Sequence, residues 1–250
     1  MPVHCYGNPC NAEAIRKIAD NYNLKVIYDA CHAFGVEDSA GSILRHGDLS
    51  CLSFHATKVF NTFEGGAIVC PDAKTKKRID HLKNFGFVDE VTVMAPGING
   101  KMSEINAAFG LLQLQHMPEV MRQRQEIDQT YREGLAQVKG IRCVPQIATG
   151  ARNYGYFPVL VESEYPAGRD ALFKHLKDFK DFNVNSRRYF YPLISDFPMY
   201  RGLPSAHASN LKVAREVSDN VLCLPIYPGL VRQDVEKIVD LIATFGQAAN

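Results

Sequence analysis

Short apolar runs alternate with amphipathic stretches through the first half of the chain, and this alternation narrows the fold more than any other feature. Lys25 to Ala30, Leu49 to Phe54 and Gly66 to Val69 read as buried strands. A helix is expected from Ala12 onward, capped by Asn8 or Asn11, with Ile15, Ile18, Ala19 and Tyr22 on one face. Thr75 to Asn84 reads as a second helix. Strands and helices in this order predict an α/β fold with a parallel or mixed sheet flanked by helices. In such sheets, functional groups gather at the carboxyl ends of strands. Asp29 and Ser53 both stand at such ends.

Ser103 opens a long helical stretch carrying Ile105, Ala108, Phe109, Leu112 and Leu114 at mostly helical spacing. Pro118 is expected to interrupt it and to open a second helix from Glu119 to about Val138, closed by Gly140. Tyr154 to Val161 reads as a strand, Ala167 to Lys177 as a helix and Val184 to Leu193 as another extended run. Asn210 to Val221 and Gln233 to Phe245 are amphipathic helices. The expected organisation is a large domain over residues 1–117, a connecting helix over 118–138 and a smaller α+β domain over 139–250.

Composition removes several function classes. With 28 basic and 27 acidic residues the formal net charge is +1, which offers nothing to nucleic acid or to an anionic membrane. The apolar runs are short and interrupted, so no transmembrane helix is expected, and the first residues lack the pattern of a signal peptide. The seven cysteines are scattered, several of them inside strand-like runs. That usage fits reduced core thiols in a cytoplasmic protein, and no spacing matches a metal site.

One pairing carries chemistry. Val26-Ile27-Tyr28 delivers the carboxylate of Asp29, and Ser53-Phe54-His55-Ala56-Thr57 leads into Lys58, followed by Val59-Phe60 and Glu64-Gly65-Gly66-Ala67. A lysine amine that forms a Schiff base with an aldehyde, and a carboxylate that keeps a pyridine nitrogen protonated, are what pyridoxal phosphate (PLP) chemistry needs. Taken singly, Lys58 would be a solvated surface residue, Asp29 a turn-capping carboxylate, His32 a buried hydrogen-bonded histidine and Ser53 a satisfied strand-end serine. His55 is given no role.

With Gly97-Ile98-Asn99-Gly100-Lys101-Met102-Ser103-Glu104 added, these motifs resemble, in order and spacing, the nucleotide-sugar aminotransferases of the DegT/StrS type over nearly the whole chain. Phe54-His55-Ala56-Thr57-Lys58-Val59-Phe60 most resembles members that aminate a dTDP-linked 4-keto-6-deoxy sugar. The resemblance implies a fold-type-I PLP enzyme, aspartate-aminotransferase-like, with a smaller α+β C-terminal domain. It implies L-glutamate as amino donor and a homodimer with shared active sites. Lys58 is then the Schiff-base residue and proton shuttle, and Asp29 the partner of the pyridine nitrogen. His32 lies beside Asp29 or the ring, Ser53 reaches the phosphate, and Asn99 reaches the phosphate held by the neighbouring subunit. Lys101 is placed to meet an anionic substrate group. Arg187, Arg188 and Tyr189 form a second candidate substrate-binding set, since a guanidinium binds carboxylate or diphosphate bidentately.

The resemblance also implies an upstream stretch with a phosphate-cradling helix N-terminus and an aromatic that stacks on the cofactor, neither of which is found here. On this reading the chain is an N-terminally truncated member, with a large domain incomplete at its N-terminus, an unpaired sheet edge, exposed apolar surface and weakened cofactor binding. The alternative function is a non-catalytic remnant that at most dimerises. A dehydratase of the same fold is disfavoured, because some such relatives carry histidine where this chain has Lys58.

Overall fold

The computed structural model describes residues 1–147, 149–179 and 182–248. The chain divides into two compact units, Met1–Met121 with Gln146–Gly155, and Arg122–Pro145 with Tyr156–Asn250. The first unit holds helix α1 (Ala12–Tyr22), strands β1 (Ile27–Asp29), β2 (Glu37–Asp38), β3 (Gly41–Ser42), β4 (Leu49–Ser53) and β5 (Gly66–Val69), and helix α2 (Ala73–Lys83). Helix α3 (Glu104–Leu135) begins in it, and the division falls inside that helix. The second unit holds β6 (Ile141–Cys143), β7 (Phe157–Val161), α4 (Arg169–Asp178), α5 (Lys212–Asn220), β8 (Val221–Leu224) and α6 (Arg232–Ala248).

In the first unit, β1 and β4 run parallel, with Asp29 opposite Cys51, and β5 adds antiparallel to β4, with Gly66 opposite Ser53. The sheet is therefore mixed. Asn11 caps α1 by accepting the N–H of Ala14 at 3.0 Å, and Asp72 caps α2 by accepting that of Thr75 at 2.7 Å. Of the stripe expected on α1, Ala19 is buried, whereas Ile18 and Tyr22 are exposed. Ile27 on β1 and Ile68 on β5 are exposed as well.

The second unit has a three-stranded antiparallel sheet in the order β6-β7-β8. Every residue of β7 is buried, as befits a central strand covered on both faces. Tyr131 and Leu135 of α3, Leu172 and Leu176 of α4, Leu222 of β8 and Ile242 of α6 meet Phe157 and Val159 in its core. Tyr165 donates its hydroxyl to the carbonyl of Ile242 at 2.7 Å, so its polar end is satisfied inside that core.

Three sequence expectations need correction. Pro118 neither ends nor opens a helix; α3 continues through it. A proline deletes one i→i−4 hydrogen bond and crowds one carbonyl, and this 32-residue helix keeps its ladder on both sides. Residues 184–193 form no strand; Arg187 makes an isolated bridge to Cys223, and the chain turns where Tyr191 N–H meets the Arg188 carbonyl at 2.8 Å. Finally, residues 146–155 belong to the first unit, where Glu37 N–H meets the Ala151 carbonyl at 2.9 Å.

Residues 2–4 run beside β1: Asp29 N–H donates to the Pro2 carbonyl at 2.9 Å, and His4 N–H to the Asp29 carbonyl at 3.0 Å. His4 is fully buried and its ring stacks on Tyr28 at 4.7 Å. Its Nδ1 accepts the N–H of Cys10 at 3.0 Å, which requires an unprotonated nitrogen. Burial, followed by proximity to His46, lowers the His4 pKa from 6.5 to about 4 against the attraction of Asp29 and Asp38. Between those two values the unfolded chain binds a proton that the folded chain refuses, so stability falls as pH drops through that window. The urea midpoint should decline from pH 6.5 to 4, and His4→Gln should flatten the slope; equal slopes in both proteins would contradict this assignment. In the second core, Leu172→Ala should cost about 2–5 kcal/mol in equilibrium unfolding.

Candidate active site

Strands β1 and β4 present their carboxyl ends side by side. Ala30 N–H continues the pairing by donating to the Cys51 carbonyl at 2.8 Å, which leaves Asp29 and Ser53 at the same end of the sheet. Asp29 Oδ1 accepts the backbone N–H of Cys31 at 3.0 Å. Burial alone would raise the Asp29 pKa. The bonds from Cys31 and the charge of Lys58 outweigh it, and the carboxyl sits below the usual aspartate value. It is an anion throughout the neutral range. The Cys31 thiol is pushed the other way, up to about 11, by burial first and then by Asp29.

His32 is fixed through its ring. Nδ1 accepts the N–H of Tyr6 at 3.1 Å, which places the imidazole proton on Nε2. Burial and then the charge of Lys58 lower its pKa to about 4, although Asp29 pulls upward. His32 is thus a neutral imidazole in the field of an anion and an amine.

Lys58 does not sit in the strand. β4 ends at Ser53, and Lys58 follows in a turn whose N–H donates to the His55 carbonyl at 2.9 Å. His55 Nδ1 pairs with Thr57 Oγ1 at 2.8 Å and stabilises that turn locally. The Ser53 hydroxyl oxygen accepts the N–H of His55 at 3.3 Å, which leaves its O–H to donate. The base of the turn is tied where Phe54 N–H meets the Gly65 carbonyl at 2.8 Å and Thr62 N–H meets the Phe54 carbonyl at 2.9 Å.

Three aromatics hold these loops in place. Phe34 stacks on Phe60 at 4.6 Å, and Phe54 meets Phe60 edge-on at 4.8 Å and Phe34 edge-on at 6.3 Å. Phe34 lies two residues after His32, Phe54 one after Ser53 and Phe60 two after Lys58. One small apolar cluster therefore sets the positions of three polar groups.

Asn99 and Lys101 are tied to the end of α2. Asn99 forms an isolated bridge with Asn84, and Lys101 Nζ donates to Asn84 Oδ1 at 3.0 Å while lying 4.7 Å above the Phe85 ring. Gly86 makes the following loop possible: at φ +84 a Cβ would lie 1.8 Å from the Ala95 carbonyl oxygen. Val91, Val93, Met94 and Ile98 are exposed there.

Arg187, Arg188 and Tyr189 belong to the second unit. The two arginines differ. Arg188 donates to Asp170 Oδ1 at 3.0 Å and lies over the rings of Phe173 and Tyr191, whereas the Arg187 side chain is exposed. Tyr189 packs edge-on against Tyr156.

Sequence reasoning missed Tyr6, Cys31 and Asn153. Tyr6 and Cys31 act through backbone N–H groups, which no side-chain motif announces. Asn153 stands just before the run from Tyr154 to Val161, and nothing local marks it, because its partners are the distant carbonyls of His32 and Phe34. Among the described residues, no group of three or more His, Cys, Asp or Glu is placed to hold a metal ion, and no helix is long and apolar enough to cross a membrane. What Asp29, His32, Lys58 and Ser53 offer together is a permanent anion, a neutral imidazole, an amine and a hydroxyl at one end of a sheet.

The DegT/DnrJ/EryC1/StrS aminotransferase family matches residues 1–243. The chain is 56% identical over 242 residues to dTDP-4-amino-4,6-dideoxy-D-glucose transaminase of Shigella dysenteriae, covering 97% of this chain and 65% of that protein. It is 53% identical over 243 residues to the protein of the same name from Escherichia coli, again covering 97% of this chain and 65% of the relative. The chain thus spans 65% of the length of each. Among solved structures, DesI in the presence of its TDP-sugar product superposes with a TM-score of 0.89 at 35% identity, covering 98% of this chain and 61% of DesI. The match over nearly the whole chain and the identity to these relatives show that the chain belongs to the DegT/DnrJ/EryC1/StrS aminotransferase family.

Proposed function

We propose that these residues serve a PLP-dependent transamination in which L-glutamate supplies an amino group to a dTDP-linked 4-keto-6-deoxy sugar. The observation that carries this reading is the convergence of Asp29, His32 and Lys58 at the strand ends, with Asp29 held as an anion by its surroundings. The identity to relatives named for that product supports the sugar.

The donor set fits PLP. An aspartate that stays ionised beside an amine and a neutral imidazole suits a cationic pyridine nitrogen, and the Ser53 hydroxyl suits a phosphate oxygen. When bound, PLP supplies an electron sink for negative charge at the carbon losing its proton. Lys58 would be the amine that holds the cofactor, and its Nζ would carry the proton lost from the α-carbon of the amino donor, which requires it to be neutral for part of the cycle. Asp29 would keep the ring nitrogen protonated, His32 would border the ring without adding charge, and the Ser53 hydroxyl would donate to the phosphate.

A second copy of the chain completes the site, with Asn99 reaching across. The exposed apolar side chains around Asn99 supply a surface suited to that contact. On this reading Lys101 would exchange its contact with Asn84 for an anionic group of the substrate. Of the two arginines, Arg187 is the one available for a carboxylate or diphosphate, because Arg188 is engaged by Asp170; Tyr189 would border the sugar. The near-neutral charge fits a cytoplasmic biosynthetic role without nucleic acid or membrane as partner.

The test is formation of the amino sugar from a dTDP-4-keto-6-deoxy sugar and L-glutamate in the presence of PLP. It is run on the chain as it stands and on a chimera completed with the unmatched part of the Shigella dysenteriae relative. Lys58→Ala should abolish turnover. Asp29→Asn should lower it by about a thousandfold or more, as expected for loss of a preorganised charge contact. Near-parental turnover in either variant would refute the assigned role, and no amino sugar from either protein would refute the function.

A further inference from the structure

We propose that Asn153 is a positioning residue for this site: its side-chain amide clamps the turn after Asp29 and so sets the His32 ring beside the cofactor. The inference rests on the reading of Asp29, His32 and Lys58 given above.

Asn153 is 3% exposed. Its Nδ2 donates to the His32 carbonyl at 2.8 Å and to the Phe34 carbonyl at 2.9 Å, and its Oδ1 accepts the Gly155 N–H at 3.0 Å. Both amide protons are thus used on carbonyls that flank one residue. Only a planar NH₂ does this: an aspartate would present repelling oxygens, and an alanine would leave two carbonyls unpaired.

The residue comes from afar. Residues 146–155 follow α3 in the chain and return to the first unit. They are secured independently of Asn153 where Gly150 N–H meets the Glu37 carbonyl at 3.2 Å and Ile147 N–H meets Asn8 Oδ1 at 3.2 Å. This anchoring makes Asn153 a fixed post against which the turn is held.

The opposite side of the turn is fitted to the same bond. Gly7 has φ +84, and a Cβ there would lie 3.0 Å from the His32 carbonyl oxygen and 3.1 Å from Asn153 Oδ1. Its neighbour Tyr6 gives its N–H to His32 Nδ1. His32 is therefore gripped at its carbonyl by Asn153 and at its ring by Tyr6. The clamped turn also carries Cys31, whose N–H binds the Asp29 carboxylate, and Phe34, which stacks on Phe60 beside the Lys58 turn. Loosening the two carbonyls would free the ring, admit water and shift the groups on either side.

The experiment is an NMR titration of the His32 imidazole in the cofactor-free chain and in Asn153→Ala and Asn153→Asp, with PLP affinity measured in parallel by its absorbance. Lys58 and Asp29, the charges that act on the His32 ring, remain in every variant. In the parent, the neutral Nε2–H tautomer should persist down to about pH 4. In both variants the midpoint should rise by about one pH unit or more, the tautomer signature should fade, and PLP should bind about tenfold or more weakly. An unchanged His32 midpoint and tautomer would overturn the proposal. Loss of dispersed amide signals in both variants would overturn it too, by making Asn153 a residue of the fold alone. Failure of the parent to bind PLP would count against the proposed function, while the His32 comparison would still decide the role of Asn153.

Discussion

A carboxylate that must stay charged while half-buried is the constraint on which the first unit turns. Asp29 is met from every side by the backbone. Its N–H and C=O pair with Pro2 and His4, the next N–H pairs with Cys51, and its Oδ1 takes the N–H of Cys31. Burial opposes the charge, and the hydrogen bonds from Cys31 together with the nearby Lys58 restore it. Leaving a buried anion without such partners would cost several kcal/mol, so the strand, the turn after it and the lysine turn beyond β4 are constrained as a group.

Apolar contact joins the hydrogen bonds in holding the site. Phe34, Phe54 and Phe60 each follow a polar site residue by one or two positions and pack on one another, so rigidity reaches His32, Ser53 and Lys58 through their chain neighbours. Asp29, His32 and Lys58 lie close enough for each to act on the ionisation of another. Neutral His32 follows from this arrangement: burial and Lys58 act against its protonation more strongly than Asp29 favours it.

Much of this was legible in the sequence, where local physics decides. β5 spans Gly66–Val69 as read, Asn11 caps α1, and the strand ends at Asp29 and Ser53 follow from short apolar runs closed by polar residues. What escaped was non-local. Pro118 looked like a boundary, yet the surrounding turns of α3 absorb it. Residues 184–193 carry an extended pattern but turn at Arg188–Tyr191 and pair with β8 only at Arg187. The turn that carries Lys58 beyond β4 was not legible either; His55 and Thr57 close it by bonds among themselves. Tyr6 and Asn153 were invisible because their partners lie 26 and 121 residues away.

The central claim is that Lys58, of all the lysines in the chain, is the amine presented to the cofactor. Borohydride reduction of the protein with PLP at limiting concentration, followed by peptide mapping, tests it most directly. The account predicts a single phosphopyridoxyl label on Lys58, lost in competition with no other lysine. A label spread over surface lysines, or concentrated on Lys101 or another site, would contradict it.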